Sequence, residues 1–63
     1  MNSETLYKYY KGYIEEANDL MLDALKNDIV SARTNDVLDK MHYAKLIRYI
    51  AKRKKENKIS EVA

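Results

Sequence analysis

The residues best suited to binding chemistry include a run of four consecutive cations, Lys52-Arg53-Lys54-Lys55, near the end of the chain. Four cations are more than a helix needs to offset the negative end of its dipole. Cations beside an aromatic ring suit the phosphate backbone of a nucleic acid, although a solvated basic face would have the same composition. The candidate residues for binding a nucleic acid or another partner are Lys45, Tyr49, Lys52, Arg53, Lys54 and Lys55.

The residues that enzymes use for catalysis are scarce in this chain. It has no cysteine and a single histidine, His42, and Ser31 falls between the predicted helices, so no nucleophile, base and acid are placed together. Asp39 and His42 have the i, i+3 spacing of half a di-iron carboxylate site, but the pair points away from the predicted core. No glycine-rich loop is present to hold a phosphate group. We therefore expect no enzymatic activity, no cofactor, no metal and no small-molecule substrate.

Two amphipathic stretches must position the basic residues. The chain has no proline and one glycine, and apolar residues recur at helical spacing in two segments of similar length. This pattern predicts an all-α fold in a single domain, residues 1-63. The domain is expected to be a two-helix antiparallel hairpin, with helices at 4-27 and 35-57, a connector at 28-34 and a frayed tail at 58-63.

The phase of the apolar residues sets the end of the first predicted helix. Continued further, the helix would place Asp28 on its apolar face and Val30 on its polar face. We therefore expect it to end at Asn27, a residue that tolerates a left-handed C-cap. An alternative boundary extends this helix to Ala32, with a tight turn at Arg33-Thr34.

The apolar face of the second predicted helix spans more than half of its circumference. One neighbouring helix would leave part of such a face in water, and a 63-residue chain without disulfides has little core of its own. The breadth therefore favours a homodimer in which two hairpins form a four-helix bundle. The residues predicted for the core and the dimer contact are Tyr10, Ile14, Ala17, Met21, Val37, Ala44, Ile47, Ile50 and Ala51.

Gly12 is the only glycine and lies on the predicted polar face of the first helix. A glycine inside a helix costs about 1 kcal/mol relative to alanine. A glycine at this position is explained either by neutral drift or by the close approach of a partner. The neighbouring rings of Tyr7, Tyr10 and Tyr13 are expected in a core or interface rather than stacked on bases, while Tyr9 is freer.

Charge is distributed unevenly along the chain. Residues 1-30 carry three lysines against six carboxylates, and residues 31-63 carry nine cations against four carboxylates. An acidic helix and a basic one favour antiparallel contact and leave a basic end for an acidic partner. The chain has no apolar run of membrane-spanning length and no signal-peptide pattern at its start. We therefore expect a cytoplasmic protein without membrane contact, in the host cytoplasm if it is viral.

In architecture and length the predicted hairpin resembles plasmid copy-control proteins of the Rop type, and also small hairpin proteins of archaeal and bacterial viruses. The Rop resemblance implies a dimeric four-helix bundle that binds paired RNA loops. The segment Asn35-Asp36-Val37-Leu38-Asp39 is similar to the Ser-x-x-Leu-Asp signature of small hairpin phosphatases that act on sporulation regulators, with Asn35 at the serine position.

Together these patterns favour a non-enzymatic adaptor or regulatory protein that acts by macromolecular binding, with a virus or a plasmid as one source. The first alternative is a Rop-like bundle that binds RNA or DNA through its basic second helix. The second alternative is a small hairpin phosphatase or signalling antagonist.

Overall fold

The computed structural model describes residues 2–62, and the side chains of residues 2–58. Within this range the chain forms three α-helices and no strand: α1 (Ser3–Glu16), α2 (Asp19–Thr34) and α3 (Lys40–Val62). The predicted all-α fold is confirmed. No helix in the described range combines the length and the apolar character that crossing a membrane requires.

A two-residue break at Ala17 and Asn18 divides the first predicted helix into α1 and α2. Ala17 is extended (φ −83°, ψ 142°), and so is Asn18 (φ −82°, ψ 176°). The Asn18 side chain accepts a hydrogen bond from the Met21 N–H at 2.9 Å, which makes it the N-cap of α2. Asp19 adds a carboxylate in the first turn, where the helix dipole favours one. The structure therefore corrects the predicted helix over 4-27, because a strong helix start interrupts it.

α1 and α3 run parallel to each other, and α2 runs antiparallel to both. At one end, the Asp39 N–H donates to the Ser3 hydroxyl at 3.0 Å, which joins the N-terminal ends of α1 and α3. At the other end, Arg53 donates to a backbone carbonyl in the last turn of α1. Asn57 of α3 donates to Asp19 at the start of α2. An elongated three-helix bundle of 39 × 16 × 15 Å thus replaces the predicted two-helix hairpin.

The chain between α2 and α3 makes a compact turn over residues 35–39. Asp36 has a left-handed backbone (φ 59°), and the N–H groups of Val37 and Leu38 both donate to the Ala32 carbonyl. Asp39 then caps α3, because its carboxylate accepts a backbone N–H of the first turn at 2.8 Å.

The helix boundaries beside this turn differ from those predicted. The predicted connector, 28-34, belongs to α2, and the alternative boundary at Ala32 lies closer to the observed end at Thr34. α3 begins at Lys40, later than predicted, because the left-handed residue and the aspartate cap delay its start. It continues through the predicted tail to Val62.

Seven apolar side chains with almost no exposure form the core of the described chain. All three helices, the α1–α2 break and the connector contribute to it: Ile14, Ala17, Leu22, Ile29, Leu38, Leu46 and Ile50. Half-buried side chains surround this cluster: Leu6, Tyr7, Tyr10, Leu25, Ala32, Tyr43, Ile47 and Tyr49. Of the residues predicted from the sequence, Ile14, Ala17 and Ile50 are buried, while Tyr10 and Ile47 pack at the edge of the core.

The other predicted core residues lie outside this cluster. Ala44 is half-buried, and Met21, Val37 and Ala51 are exposed rather than part of the core. Met21 is displaced because α2 restarts after the break and turns Leu22 inward. Val37 lies in the connector, where helical spacing no longer applies, and Ala51 lies beyond the edge of the apolar face of α3.

The broad apolar face of α3 is covered within one chain. α3 packs against α1 on one side and against α2 on the other. Two neighbouring helices need a wider apolar face than one does. The breadth that favoured a four-helix dimer is therefore explained by a third helix of the same chain.

Leu22→Ala should lower the free energy of unfolding by about 2–5 kcal/mol, because it leaves a cavity in the core. Leu20→Ala, two positions earlier on α2, should change it by less than about 0.5 kcal/mol, because the Leu20 side chain is 80% exposed. Urea denaturation followed by circular dichroism measures both. Equal losses would contradict the phase of α2.

Candidate functional site

Four cations of α3 form a row on its outer side. They recur at spacings of three and four residues, which places them on one helix face over about 15 Å. All four side chains are exposed, and none forms an ion pair with the described residues. We call this row the cationic stripe: Lys45, Arg48, Lys52 and Lys55.

The basic run near the end of the chain turns two of its four side chains toward the other helices. Arg53 donates to the Glu15 carbonyl at 3.0 Å and to the Glu56 carboxylate at 3.3 Å. Lys54 forms an ion pair with Asp23 of α2. These two candidate residues fasten α3 to its neighbours, so only the other two cations of the run remain for a ligand.

Arg48 belongs to the stripe but is missing from the candidates chosen from the sequence. It lies three residues after Lys45 and four residues before Lys52. Helical spacing alone would have identified it, because residues three and four apart share a helix face. The consecutive run obscured this pattern, since adjacent residues of a helix point in different directions.

The ring of Tyr49 is half-buried against the core rather than displayed beside the stripe. Burial raises the pKa of Tyr49 above its ordinary value, and the nearby Glu15 carboxylate of α1 adds to the shift. The ring is therefore neutral and held between helices. The Lys45 ammonium, by contrast, reaches back to 6.0 Å from the centroid of the Tyr7 ring, a distance at which cation–π attraction is weak.

Ser3, Asp39 and His42 form a second polar cluster at the N-terminal ends of α1 and α3. The His42 Nδ1 lies 2.9 Å from both the Ser3 hydroxyl and the Asp39 carboxylate. In a Ser-His-Asp relay the serine and the carboxylate bind opposite ring nitrogens, so this geometry does not support nucleophilic catalysis. The His42 ring also lies against Tyr7, with centroids 5.0 Å apart. The cluster is a structural cap that joins two helix starts.

Asp39 is the electrostatic centre of this cap. Its hydrogen bond from the His42 backbone N–H lowers the pKa of the Asp39 carboxyl below its ordinary value. Contacts with the His42 ring and the Ser3 hydroxyl act in the same direction, and partial desolvation opposes them. The ionised carboxylate is therefore the form that the folded state favours.

Comparisons of this chain with protein-family models, with curated proteins and with solved structures found no match. The segment that resembles the hairpin-phosphatase signature, residues 35–39, forms the turn between α2 and α3. The surfaces of the bundle are therefore the features of the molecule that bear on its function.

Arg53→Gln should lower the free energy of unfolding by about 0.5–1.5 kcal/mol, because the hydrogen bond to the Glu15 carbonyl is lost. Arg48→Gln removes the same charge from the same helix and should change stability by less than about 0.5 kcal/mol. Urea unfolding of the two variants provides the comparison. A larger loss of stability in Arg48→Gln would contradict the assignment of Arg53 to a contact with α1 and of Arg48 to the exposed stripe.

Asp39→Asn should remove part of the acid sensitivity of the fold. The folded-state pKa of Asp39 lies below the ordinary value of 3.8, so the carboxylate stabilises the fold above that pH. This contribution disappears as the pH falls through the folded-state pKa. The wild type should exceed the variant in stability near neutral pH, and the gap should close as the pH falls below about 4. Thermal melts across this range measure the gap, and a constant gap would exclude a charge-dependent cap.

Proposed function

We propose that this protein is a non-enzymatic regulatory or adaptor protein that acts by macromolecular binding, and that it binds the phosphate backbone of a nucleic acid. The observation that carries the proposal is the cationic stripe. Its four exposed cations have no carboxylate partner among the described residues, whereas two neighbouring cations of α3 are paired. A row of exposed positive charges is suited to a linear polyanion.

The expected strength of this interaction follows from counterion release. Each phosphate that a cation neutralises releases condensed counterions from the nucleic acid, and this release supplies much of the affinity. Four contacts with B-form DNA correspond to a slope of roughly −3.6 in a plot of log K against log salt concentration. Lys40 and Lys58 are further exposed cations of α3 that would strengthen the long-range attraction.

The position of the aromatic rings favours a duplex or a folded RNA over a single strand. Tyr9 and Tyr13, which are exposed, belong to α1, and Tyr49 of α3 is half-buried. Stacking on unpaired bases needs exposed rings beside the cations. Phosphate contacts need only the stripe. This differs from the interpretation of the sequence, in which Tyr49 was a binding residue.

The packing of α3 favours contacts with the backbone rather than with base edges. In a helix-turn-helix protein the two helices cross at about 90–120°, so the recognition helix projects into the major groove. Here α2 and α3 pack side by side in opposite directions, because Asn57 contacts Asp19 and the earlier Lys54 pairs with the later Asp23. A flat helix side suits phosphate contacts, which carry little sequence information.

A protein partner is the second candidate, favoured by apolar side chains on the surface of α1 and α2. Tyr9 is 53% exposed, Leu20 is 80% exposed and Met21 is 48% exposed. Exposed aromatic and methionine side chains are typical of protein interfaces. If the partner is a protein, this chain acts as an adaptor between proteins. The homodimer predicted from the sequence is one such contact, in which the partner is a second copy. The hairpin-phosphatase alternative depends on segment 35–39 alone.

Replacement of all four stripe cations with glutamine should abolish most nucleic-acid binding and leave the fold intact, because the four side chains are exposed. Fluorescence anisotropy with a labelled duplex should give a log–log salt slope of roughly −3 to −4 for the wild type. A single strand of the same length should bind no more tightly, because no ring is placed to stack on its bases.

A matched control replaces three exposed cations that lie off the stripe with glutamine, namely Lys11, Lys26 and Lys40, and is compared with a stripe variant that lacks Lys45, Arg48 and Lys52. This control has the same net charge as the stripe variant, so a larger loss of binding in the stripe variant identifies a defined surface. Equal losses would reduce the interaction to net charge. No duplex binding by the wild type at low salt would leave the protein partner as the surviving function.

A further inference from the structure

The outward face of α1 presents a glycine between two exposed tyrosines. Its residues recur at helical spacing (i, i+4, i+7, i+8 and i+11), and every one of them is exposed. We call it the α1 face: Thr5, Tyr9, Gly12, Tyr13 and Glu16.

Nothing within the described chain requires glycine at position 12. The backbone of Gly12 has no positive φ, and a Cβ atom added there would meet no atom within 4 Å. Glycine weakens a helix relative to alanine, so this position lowers the stability of the monomer without a compensating contact. Close approach by the backbone of a second helix is what the missing side chain would permit.

The rings of Tyr9 and Tyr13 are already ordered beside this gap. They pack edge to face with centroids 4.8 Å apart, and their hydroxyl oxygens lie 3.2 Å apart. Both rings remain about half exposed. Paired rings lose little conformational freedom on association, and tyrosine is enriched at the centres of protein interfaces.

The charges around the α1 face are complementary to themselves. Lys8 lies four residues before Gly12, and Glu16 lies four residues after it. In an antiparallel crossing of two α1 helices at Gly12, each Lys8 would lie opposite Glu16 of the other copy. A parallel crossing would bring identical charges together. The present contact of Lys8 with Glu4 is 3.7 Å long and exposed, so it is weak enough to be exchanged.

We propose that the α1 face is the contact surface of a homodimer, in which two α1 helices pack antiparallel across a two-fold axis at Gly12. The occupant is a second copy of this chain because the charge pattern complements itself. Contact through one helix of each copy is small, so a dissociation constant in the micromolar range or weaker is expected. The proposal does not depend on nucleic-acid binding, since the cationic stripe lies on a different helix and stays exposed.

A charge exchange between Lys8 and Glu16 tests the proposed orientation. Lys8→Glu alone, and Glu16→Lys alone, would each replace two attractive pairs with two repulsive ones, so each should weaken dimerisation roughly tenfold or more. The double variant restores opposite charges and should recover dimerisation to within about threefold of the wild type. Sedimentation velocity over a concentration series measures the constants, and circular dichroism verifies that each variant folds. Lys11→Glu is the matched control, because Lys11 lies off the α1 face.

Gly12→Ala provides an independent test, because it should stabilise the monomer and weaken the dimer. In the monomer the added methyl group meets open space and favours the helix, so the melting temperature at low concentration should rise. In the dimer the two methyl groups would meet at the crossing point, so the dissociation constant should increase roughly tenfold.

Three results would overturn the proposal. The first is a wild-type protein that remains monomeric up to millimolar concentration. The second is a dimer in which the double charge variant is as weak as the single variants. The third is a dimer that Gly12→Ala leaves unchanged or strengthens. Each of these results is a measurement of self-association without nucleic acid. None of them therefore depends on whether the nucleic-acid proposal is correct.

Discussion

The arrangement of the whole bundle depends on two extended residues, Ala17 and Asn18. Their ψ angles of 142° and 176° end one helix and begin the next within two positions, which reverses the direction of the chain. Two local features make so short a reversal stable. The Asn18 side chain accepts a free N–H of the first turn of α2, and Ala17 is small enough to be buried beneath the turn. Once α2 runs back along α1, α3 can cover the apolar faces of both.

Electrostatic contacts then divide the cations of α3 into those that hold it against its neighbours and those that remain exposed. The position of each cation around the helix decides whether it contacts another helix or solvent. The density of charge in the sequence does not. Arg53 and Lys54 point toward α1 and α2, where a backbone carbonyl and a carboxylate receive them. Lys52 and Lys55, their immediate neighbours, point outward. A consecutive run of basic residues on a helix is therefore a poor measure of the charge that a ligand can meet.

Local sequence patterns predicted the helical class, the burial periodicity around Ile14 and Ile50, and the basic character of α3. They could not predict the break at Asn18, because Asp19 also fits the polar face of a continuous helix and Asn18 fits the edge of that face. They also missed the burial of Leu22, because the new helix that begins after Asn18 changes which residues face the core. The contact between Ser3 and Asp39 spans 36 positions and follows from the three-helix arrangement, so no local pattern contains it.

The parallel direction of α1 and α3 has an electrical consequence for the molecule. In a two-helix hairpin the peptide dipoles oppose each other, whereas three helices leave about one helix dipole uncancelled, with its positive pole at the end where Ser3 meets Asp39. The cationic stripe, from Lys45 to Lys55, lies along the middle of α3 rather than at either pole. The dipole field is therefore directed along the long axis, whereas the charge of the stripe lies on the flank of α3. A polyanion bound as proposed would therefore lie against the flank of α3, broadside to the molecule rather than at one end.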